Sequence, residues 1–394
     1  MLKQNWTYKK LGEVASFSRG LTFAKSDVAD ASSKKVLRSN NIDLVSHSLN
    51  FDDVACLKED FIIPDEKKLH KGDVFICMSN GSTQHLGKVA FIEVDMDYAF
   101  GGFMGAIHPD VKLVYPKYAF YSCLSNEYRR FLASILNGIN INNLKWSELS
   151  KFTIPVPPIE TQSRIVSELD LLQSIIDKQK AQLKELDNLA QAVFYDMFGD
   201  PVENDKGWEV KKLKDVGEGK LSYGSGASAI GYDGEVRYIR ITDIEDNGSL
   251  KDEKVSPSEF NSKYLLNDGD ILFARSGATV GKTYMHKTLY GKSIYAGYLI
   301  RLIPNKKLVL PEYVLGYTKT ACYKSFVAMA QKAVAQPNIN AEQYGNLLIG
   351  VPPLSLQQSF ATKIESIEKQ KAAIGKSIEE TQKLFDYTMD KYFG

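Results

Sequence analysis

The sequence repeats itself once after about 200 residues, and this repeat restricts the possible folds more than any other feature. The matched segments keep the same order in both copies and share residue types at equivalent positions. They are Trp6 with Trp208, Lys10-Leu11 with Lys212-Leu213, Leu37-Arg38 with Ile239-Arg240, Lys71-Gly72-Asp73 with Asp268-Gly269-Asp270, Asn140-Ile141-Asn142 with Asn338-Ile339-Asn340, and Phe198-Gly199 with Phe393-Gly394. The period is too long for a solenoid, whose units have about 20 to 50 residues. We therefore predict a duplicated unit in this chain of 394 residues.

The last part of each copy has the spacing of a long helix. It begins after a Pro-Pro pair, and apolar residues then recur at alternating intervals of four and three, which is typical of a coiled coil. The stripe, which we predict to form an interface between the two helices, comprises Ile165, Leu169, Leu172, Ile176, Leu183 and Leu186 in the first copy and Phe360, Ile364, Ile367, Ile374, Ile378 and Phe385 in the second. The alternative is that each helix packs only on its own globular domain. A helix of about 37 residues is roughly 55 Å long. Few small domains are that wide, which favours pairing between the helices.

The first part of each copy is rich in Gly, Tyr, Asn and short β-type runs. The sequence therefore predicts an α+β fold with two mixed α/β domains at 1–158 and 200–353. Helices at 159–199 and 354–394 separate these domains. Two equal copies related by a pseudo-two-fold axis would place the helices antiparallel and bring the chain ends together.

One segment looks like a phosphate-binding loop, but its copy argues against that interpretation. The motif needs four residues between its glycines, so that the backbone wraps one phosphate and a lysine reaches the next. Only three residues separate Gly277 from Gly281 ahead of Lys282, whereas five separate Gly81 from Gly87 in the first copy. A loop whose length differs between the copies does not hold the same triphosphate in both. We predict no nucleotide site in this chain.

Catalytic and metal-dependent chemistry are not indicated either. The four cysteines contain no C-x-x-C pair, and the five histidines neither recur between the copies nor show an H-x-x-x-H spacing. Asp252-Glu253-Lys254 has the D-x-K form of a nuclease site, but the first copy has no matching carboxylate. We expect no catalytic residue, no metal site and no cofactor in this chain. The cysteines should be free thiols in a reducing cytosol.

The loops that follow the β-type runs carry side chains that could read DNA. Arginine pairs with guanine, asparagine with adenine, and serine or threonine with several base edges. Several of these positions differ between the copies, such as Met78 against Arg275, which would suit two different short sequences. Ordinary surface turns have the same composition and remain an alternative. The predicted DNA-binding residues are Arg19, Arg38, Asn40, Asn41, Ser79, Asn80, Ser82, Thr83 and Lys88 in the first copy, and Tyr223, Arg240, Thr242, Arg275, Ser276, Thr279 and Lys282 in the second.

The charge of the chain limits this hypothesis. The formal net charge is +1, and the globular parts carry +1 over 1–150 and +3 over 201–346. A protein that binds DNA alone draws much of its affinity from Lys and Arg on phosphates. DNA is therefore the wrong ligand, or other subunits hold the backbone while this chain selects the sequence.

The motifs of this chain resemble those of the specificity subunit of Type I restriction–modification systems, over essentially the whole chain. The resemblance rests on duplicated motifs in a fixed order. They are Trp6-x-x-x-Lys10-Leu11-x-x-Val14 and Trp208-x-x-x-Lys212-Leu213-x-x-Val216, the segment from Gly269 to Gly277, Gln336-Pro337-Asn338-Ile339-Asn340, and Val351-Pro352-Pro353 followed by Gln357-Gln358. The first copy departs from them with Met78 in place of Arg275 and Gly138-Ile139 in place of Gln336-Pro337.

The resemblance implies two target-recognition domains, each of which reads one half of a split double-stranded DNA site in the major groove. It also implies that the helices set the spacer between the halves and bind two modification subunits. Those subunits carry S-adenosylmethionine and methylate adenine, and restriction subunits add ATP- and Mg²⁺-dependent translocation and cleavage. Such a chain is non-catalytic and cytoplasmic, with no membrane partner. The second hypothesis is a coiled-coil adapter whose duplicated domains bind protein.

Overall fold

The computed structural model describes residues 6–136, 143–332 and 337–394. The chain forms two compact units: unit 1 contains Met1–Lys178 and Ser377–Gly394, and unit 2 contains Gln179–Lys376. Each unit therefore combines one globular copy of the repeat with parts of both long helices. Three segments used in the sequence comparison lie outside the described residues, namely Asn140-Ile141-Asn142, Gly138-Ile139 and Gln336.

The globular part of unit 1 consists of short strands and short helices. In chain order these are β1 Thr7–Lys10, α1 Leu11–Val14, β2 Ala15–Arg19, β3 Val28–Ala29, β4 Lys35–Leu37, β5 Ala55–Leu57, β6 Val74–Cys77, β7 Val89–Phe91, β8 Tyr98–Phe100, β9 Met104–Pro109, α2 Pro116–Ser122, α3 Asn126–Leu136, α4 Trp146–Leu149 and β10 Thr153–Val156. The long helix α5 Ile159–Phe198 follows directly.

Two four-stranded sheets form the centre of unit 1. One is antiparallel with the order β2-β9-β6-β7, and the other has the order β3-β5-β4-β8, in which β4 and β8 run parallel. Strand β6 is buried along its whole length, and Phe75 on β6 meets Phe100 on β8 edge to face with 6.0 Å between the ring centroids. The antiparallel pair β1–β10 joins the two ends of this globular part. The loops that leave β4, β6 and β8 therefore emerge from one well-packed core.

Unit 2 repeats this order of elements. Its globular part contains β11 Glu209–Lys212, β12 Ser222–Tyr223, β13 Ala229–Gly231, β14 Arg237–Ile239, β15 Val255–Pro257, β16 Ile271–Ala274, β17 Thr283–Met285, β18 Ser293–Tyr295, β19 Leu299–Leu302, α6 Pro311–Tyr317, α7 Ala321–Lys332, α8 Ala341–Gly345 and β20 Leu348–Val351, and the long helix α9 Leu354–Phe393 follows. The sheet order β12-β19-β16-β17, the parallel pair β14–β18 and the antiparallel pair β11–β20 match their counterparts in unit 1. The predicted duplication of a mixed α/β domain is confirmed.

A Gly-Asp turn opens the central strand of each unit. Gly72 and Gly269 have φ angles of +93° and +89°, a region that glycine enters without steric cost. The carboxylates of Asp73 and Asp270 each accept a hydrogen bond from the backbone nitrogen three residues earlier, at 2.9 and 2.7 Å. The same short sequence therefore fixes the start of β6 and of β16 by the same bonds.

The two long helices pack on the globular parts as well as on each other. The buried members of the predicted stripe are Ile165, Leu169, Leu172, Ile176, Phe360 and Ile367, and the half-buried ones are Leu183, Leu186, Ile364, Ile374, Ile378 and Phe385. In unit 1, Ile165 and Leu169 belong to one core with Val14 of α1, Tyr118 of α2 and Phe393 of α9. The start of α5 therefore packs on the globular part of unit 1, and the two long helices also contact each other.

Contacts between the helices are found within each unit. In unit 1, the Tyr392 hydroxyl donates to the Glu168 carboxylate at 2.8 Å. In unit 2, Lys371 pairs with Asp187 at 2.8 Å, while the Phe360 ring lies 5.1 Å from the Phe198 ring. Within unit 2, the partner position on α9 falls from Lys371 to Phe360 as the position on α5 rises from Asp187 to Phe198, so the two helix segments run antiparallel there. Within the described ranges, none of the helices is both long and apolar enough to cross a lipid bilayer.

Candidate nucleic-acid interface

The loops of unit 1 surround a cleft of about 980 Å³. Its walls come from the turn after β4, the loop after β6 and the glycine-rich loop between β8 and β9. Five of the predicted DNA-binding residues line it, namely Arg38, Asn40, Ser79, Asn80 and Lys88. Asp53, His85 and Phe103 also line it. The structure therefore brings together loops that are far apart in the sequence.

A carboxylate holds the polar side chains at the rim of this cleft. Arg38 Nη2 lies 3.2 Å from Asp53 Oδ2, and Asn40 Nδ2 donates to the same oxygen at 3.0 Å. The Arg38 side chain is 46% exposed, so its guanidinium lies at the surface with a fixed orientation. An arginine held in this way can still present other N–H groups to a base or a phosphate. Asp53 thus determines where the guanidinium points.

Asn41 lies inside the fold, unlike its neighbour Asn40. It is 1% exposed, its Oδ1 accepts from the backbone nitrogen of Arg38 at 2.7 Å, and its Nδ2 donates to the carbonyl of Asn50 at 2.8 Å. Asp243 occupies the equivalent place in unit 2, where its carboxylate accepts from the backbone nitrogen of Arg240 at 2.9 Å. These bonds assign Asn41 to the shape of the turn rather than to its surface.

The loop after β6 presents Asn80 to the cleft. Its Nδ2 donates to Ser39 Oγ at 2.7 Å, and its Oδ1 accepts from the backbone nitrogen of Ser82 at 2.9 Å. Ser82 and Thr83 are exposed on the same loop but do not line the cleft. On this loop, Ser79 and Asn80 therefore lie at the wall of the cleft, and Ser82 and Thr83 are exposed beside it.

The lysine shared by the two copies joins two loops in each unit. Lys88 is 7% exposed, its Nζ donates to the carbonyl of Ile42 at 2.8 Å, and burial lowers its pKa. Lys282 donates to the carbonyl of Ile244 at 3.2 Å and pairs with Asp246 at 2.8 Å. The same bond therefore links the turn after the parallel strand to the loop after the central strand in both units.

An arginine comes from different strands in the two units. Strand pairing places Arg19 of β2 opposite Gly105 and Tyr223 of β12 opposite Ile300, and these two opposite residues are equivalent in the repeat. In unit 1, Arg19 lines a small cleft of about 160 Å³ together with Met78, which is only 6% exposed. In unit 2 the arginine follows the central strand instead: Tyr223 occupies the place of Arg19, and Arg275 occupies the place of Met78.

Arg275 in unit 2 is held by two contacts. Its guanidinium carbon lies 4.8 Å from the centroid of the Tyr223 ring, which is a cation–π arrangement. Its Nε donates to Asn338 Oδ1 at 3.2 Å, and the Tyr223 hydroxyl accepts from the backbone nitrogen of Ala341 at 3.0 Å. The predicted residues Arg275 and Tyr223 thus form a single group with Asn338, which belongs to a repeated motif.

The other predicted residues of unit 2 follow the turn after β14 and the loop after β16. Arg240 pairs with Asp243 at 2.7 Å, and the hydrogen bonds to this carboxylate raise the pKa of Arg240. Thr242 is exposed, and Thr279 Oγ1 donates to the carbonyl of half-buried Ser276 at 3.3 Å. Arg240 is therefore neutralised by its own turn, whereas Arg275 is held by an aromatic ring and an amide.

Each unit also presents one exposed aromatic residue that is not among the predicted DNA-binding residues. Phe103 is 72% exposed and Tyr298 is 62% exposed. The carbonyl of Phe103 accepts from the backbone nitrogen of Met78 at 2.9 Å, and that of Tyr298 accepts from Arg275 at 3.1 Å, so the two occupy the same place. Both follow a glycine in the sequence, and this shared Gly-aromatic pair was the available signal.

Comparisons with known proteins agree with the duplicated architecture. The model of the Type I restriction modification DNA specificity domain matches twice, over residues 3–188 and 205–382. The EcoKI specificity subunit of Escherichia coli K12 is 24% identical over 389 residues, covering 93% of this chain and 82% of that protein. The StySPI specificity subunit of Salmonella potsdam is also 24% identical, over 392 residues, with the same coverage.

A solved structure shares the fold along the whole length. It is the S subunit of a Type-I restriction-modification system from M. genitalium, with a TM-score of 0.58, 14% identity, and coverage of 100% of this chain and 98% of that one. Two matches to one domain model also account for the repeat and for the order of elements in both units. The chain belongs to the Type I restriction modification DNA specificity domain family and contains two copies of that domain.

Proposed function

We propose that this chain is the sequence-specific DNA-recognition subunit of a Type I restriction–modification complex, in which each unit reads one half of a bipartite site. The observation that supports this best is the recurrence of an arginine among polar loop residues in both units. Arg19 comes from β2 in unit 1, and Arg275 follows β16 in unit 2. An arginine can bond both acceptors of a guanine edge in the major groove. Different surroundings of the two arginines would select different half-sites.

The long helices would determine the spacing of the two half-sites and bind two modification subunits. Helices α5 and α9 have 40 residues each, which corresponds to about 60 Å at 1.5 Å per residue. One turn of DNA is about 34 Å long. Helices of this length are sufficient to keep two recognition domains one turn apart.

We infer that the chemistry belongs to the partner subunits. In this proposal the modification subunits carry S-adenosylmethionine and methylate adenine, and the restriction subunits use ATP and Mg²⁺, while this chain has no catalytic residue. The charge supports this division, because Arg38 and Arg240 are already paired with Asp53 and Asp243 and the chain has a net charge of +1. The partner subunits would then bind most of the phosphates. The free cysteines fit a cytoplasmic complex.

Footprinting of double-stranded DNA tests the proposal. The chain is purified with its modification subunits, and the adenines methylated in host DNA identify the site to be used. We expect two short protected segments with an unread spacer between them. One continuous protected segment, or no protection at all, would contradict the proposal. Stable capture of a protein by the globular units without any DNA protection would instead support the adapter hypothesis.

A further inference from the structure

The exposed aromatic residue of each unit has a fixed backbone and an unsupported ring. The carbonyl of Phe103 accepts hydrogen bonds from the backbone nitrogens of Met78 and Ser79, both at 2.9 Å. The carbonyl of Tyr298 accepts from the backbone nitrogen of Arg275 at 3.1 Å. The loop thus holds the α-carbon of each aromatic residue beside the end of the central strand. The fold therefore positions the backbone of each aromatic residue, while its ring is largely exposed.

Neither ring is buried in a hydrophobic core of its own unit. Phe103 is 72% exposed and Tyr298 is 62% exposed, although aromatic side chains usually bury most of their surface. Among the described residues, neither ring stacks on another aromatic ring. An apolar side chain exposed once is ordinary. Exposure at the same position in two copies that otherwise differ in their loops indicates a shared use.

The surroundings of Phe103 indicate what this use is. Phe103 lines the large cleft with Arg38, Asn40 and Asn80, and it lines the small cleft with Arg19. The polar groups can bond the donors and acceptors of base edges. They make no favourable contact with the C5-methyl group that distinguishes thymine in the major groove, because a methyl group makes only apolar contacts. An exposed apolar ring among hydrogen-bonding side chains can supply this missing contact.

We propose that Phe103 and Tyr298 are equivalent specificity residues, each of which packs its ring against the C5-methyl group of a thymine in the half-site read by its own unit. This inference rests on the proposed function, because it assumes that both units read DNA. It adds recognition of the thymine methyl group, with which hydrogen-bonding side chains make no favourable contact. It also predicts that one thymine of each half-site is more sensitive than the others to loss of its methyl group.

The test removes single methyl groups from the DNA. Each thymine of the mapped site is replaced in turn by deoxyuridine, and binding by the complex with modification subunits is measured by competition. The wild-type complex should lose about fourfold in affinity at one thymine of each half-site, which corresponds to the burial of one methyl group. Phe103→Ala should abolish this sensitivity in one half-site, and Tyr298→Ala should abolish it in the other. Tyr298→Phe keeps the ring and should retain the loss of affinity for uracil-containing DNA that the wild type shows.

Tyr8→Ala is the matched control, because Tyr8 is a 58% exposed aromatic residue on β1 of unit 1 that does not line either cleft. Thermal denaturation verifies that each variant is folded. A half-site without thymine would overturn the inference for its unit, as would uracil sensitivity that persists in Phe103→Ala. Loss of sensitivity in the same half-site by both alanine variants would overturn it as well. Absence of bipartite protection by the wild-type complex would instead refute the proposed function.

Discussion

A buried glutamine at the start of each long helix should contribute strongly to the stability of its unit. Gln162 is 0% exposed on the first turn of α5. Its Oε1 accepts from the backbone nitrogen of Tyr115 at 2.8 Å, and its Nε2 donates to the carbonyls of Leu113 at 3.1 Å and Pro157 at 2.8 Å. One side chain thus joins the loop before α2 to the segment that enters the long helix.

The second copy repeats these three bonds. Gln357 is 0% exposed, accepts from the backbone nitrogen of Leu310 at 2.7 Å, and donates to the carbonyls of Leu308 at 2.9 Å and Pro352 at 2.8 Å. The repetition of three bonds at equivalent positions indicates that this contact is required wherever a globular part meets its helix. Each unit can therefore serve as the control for the other.

The change Gln162→Leu keeps the size of the side chain and removes all three bonds. An unmade bond costs about 1 to 3 kcal/mol when its buried partner is left unsatisfied, and the leucine regains part of this through apolar burial. We expect the free energy of unfolding of unit 1 to fall by about 2 to 4 kcal/mol. This is a large part of the roughly 5 to 15 kcal/mol that stabilises an ordinary domain.

Hydrogen exchange followed by peptide mapping measures the two units separately. Faster exchange should be confined to unit 1 in Gln162→Leu and to unit 2 in Gln357→Leu. Gln173→Leu is the control, because it lies on the same helix and its Nε2 makes one exposed bond, to Asp177 at 3.0 Å. A loss below about 1 kcal/mol in Gln162→Leu, or one equal to that of Gln173→Leu, would refute the reasoning.

Three further predictions concern Arg275, the long helices and Lys319. Arg275→Lys should weaken binding at one half-site about tenfold, because lysine lacks the planar fork; competition binding with single base changes checks this, and unchanged base preference would contradict it. Insertion of one heptad into the segment Glu168–Ala190, with a matched insertion in α9, should change the tolerated spacer. Adenine-methylation mapping reads this out, and altered half-site sequences would contradict it. Burial lowers the pKa of Lys319 to about 8. Between pH 8 and 10.5 the unfolded chain therefore binds more protons than the folded chain. The cost of burying the charged Lys319 is fully present below pH 8 and decreases as the pH rises toward 10.5. Lys319→Met should raise the melting temperature at pH 7 and do so less at pH 9.5, and an equal gain at both would contradict it.

The sequence was sufficient for the features that depend on local patterns. The repeat predicts the duplication, and the heptad spacing after each Pro-Pro pair predicts α5 and α9. The Gly-Asp pairs that the two copies share form the same turns before β6 and β16, which need only a local bond and a glycine φ angle. The helices and turns could be predicted because each depends on residues a few positions apart, and the duplication because the same motifs recur in the same order.

The direction of individual loop side chains could not be predicted in the same way. Asn40 and Asn41 are adjacent and chemically identical, yet one lines the cleft and the other is 1% exposed. The difference arises because Asn41 bonds the backbone of Arg38 and of Asn50 inside the turn, whereas Asn40 bonds the Asp53 carboxylate at the rim of the cleft. Phe103 was missed for a related reason, since the sequence does not distinguish an exposed aromatic residue from one in the core. DNA contact by any of these residues remains a prediction.

The bonds common to both units and the residues that differ between them form two separate sets. The Gly-Asp turn, the buried glutamine and the lysine bonded to an isoleucine carbonyl are the same in each unit, and all of them hold loops in place. The residues that differ lie at the end of a strand or directly after one. They are Arg19 and Met78 in unit 1, and Tyr223 and Arg275 in unit 2. None of these four side chains takes part in the bonds that the two units share, so they can change while those bonds are kept. A scaffold of this kind allows sequence preference to change in one unit while the other unit and the helices stay as they are.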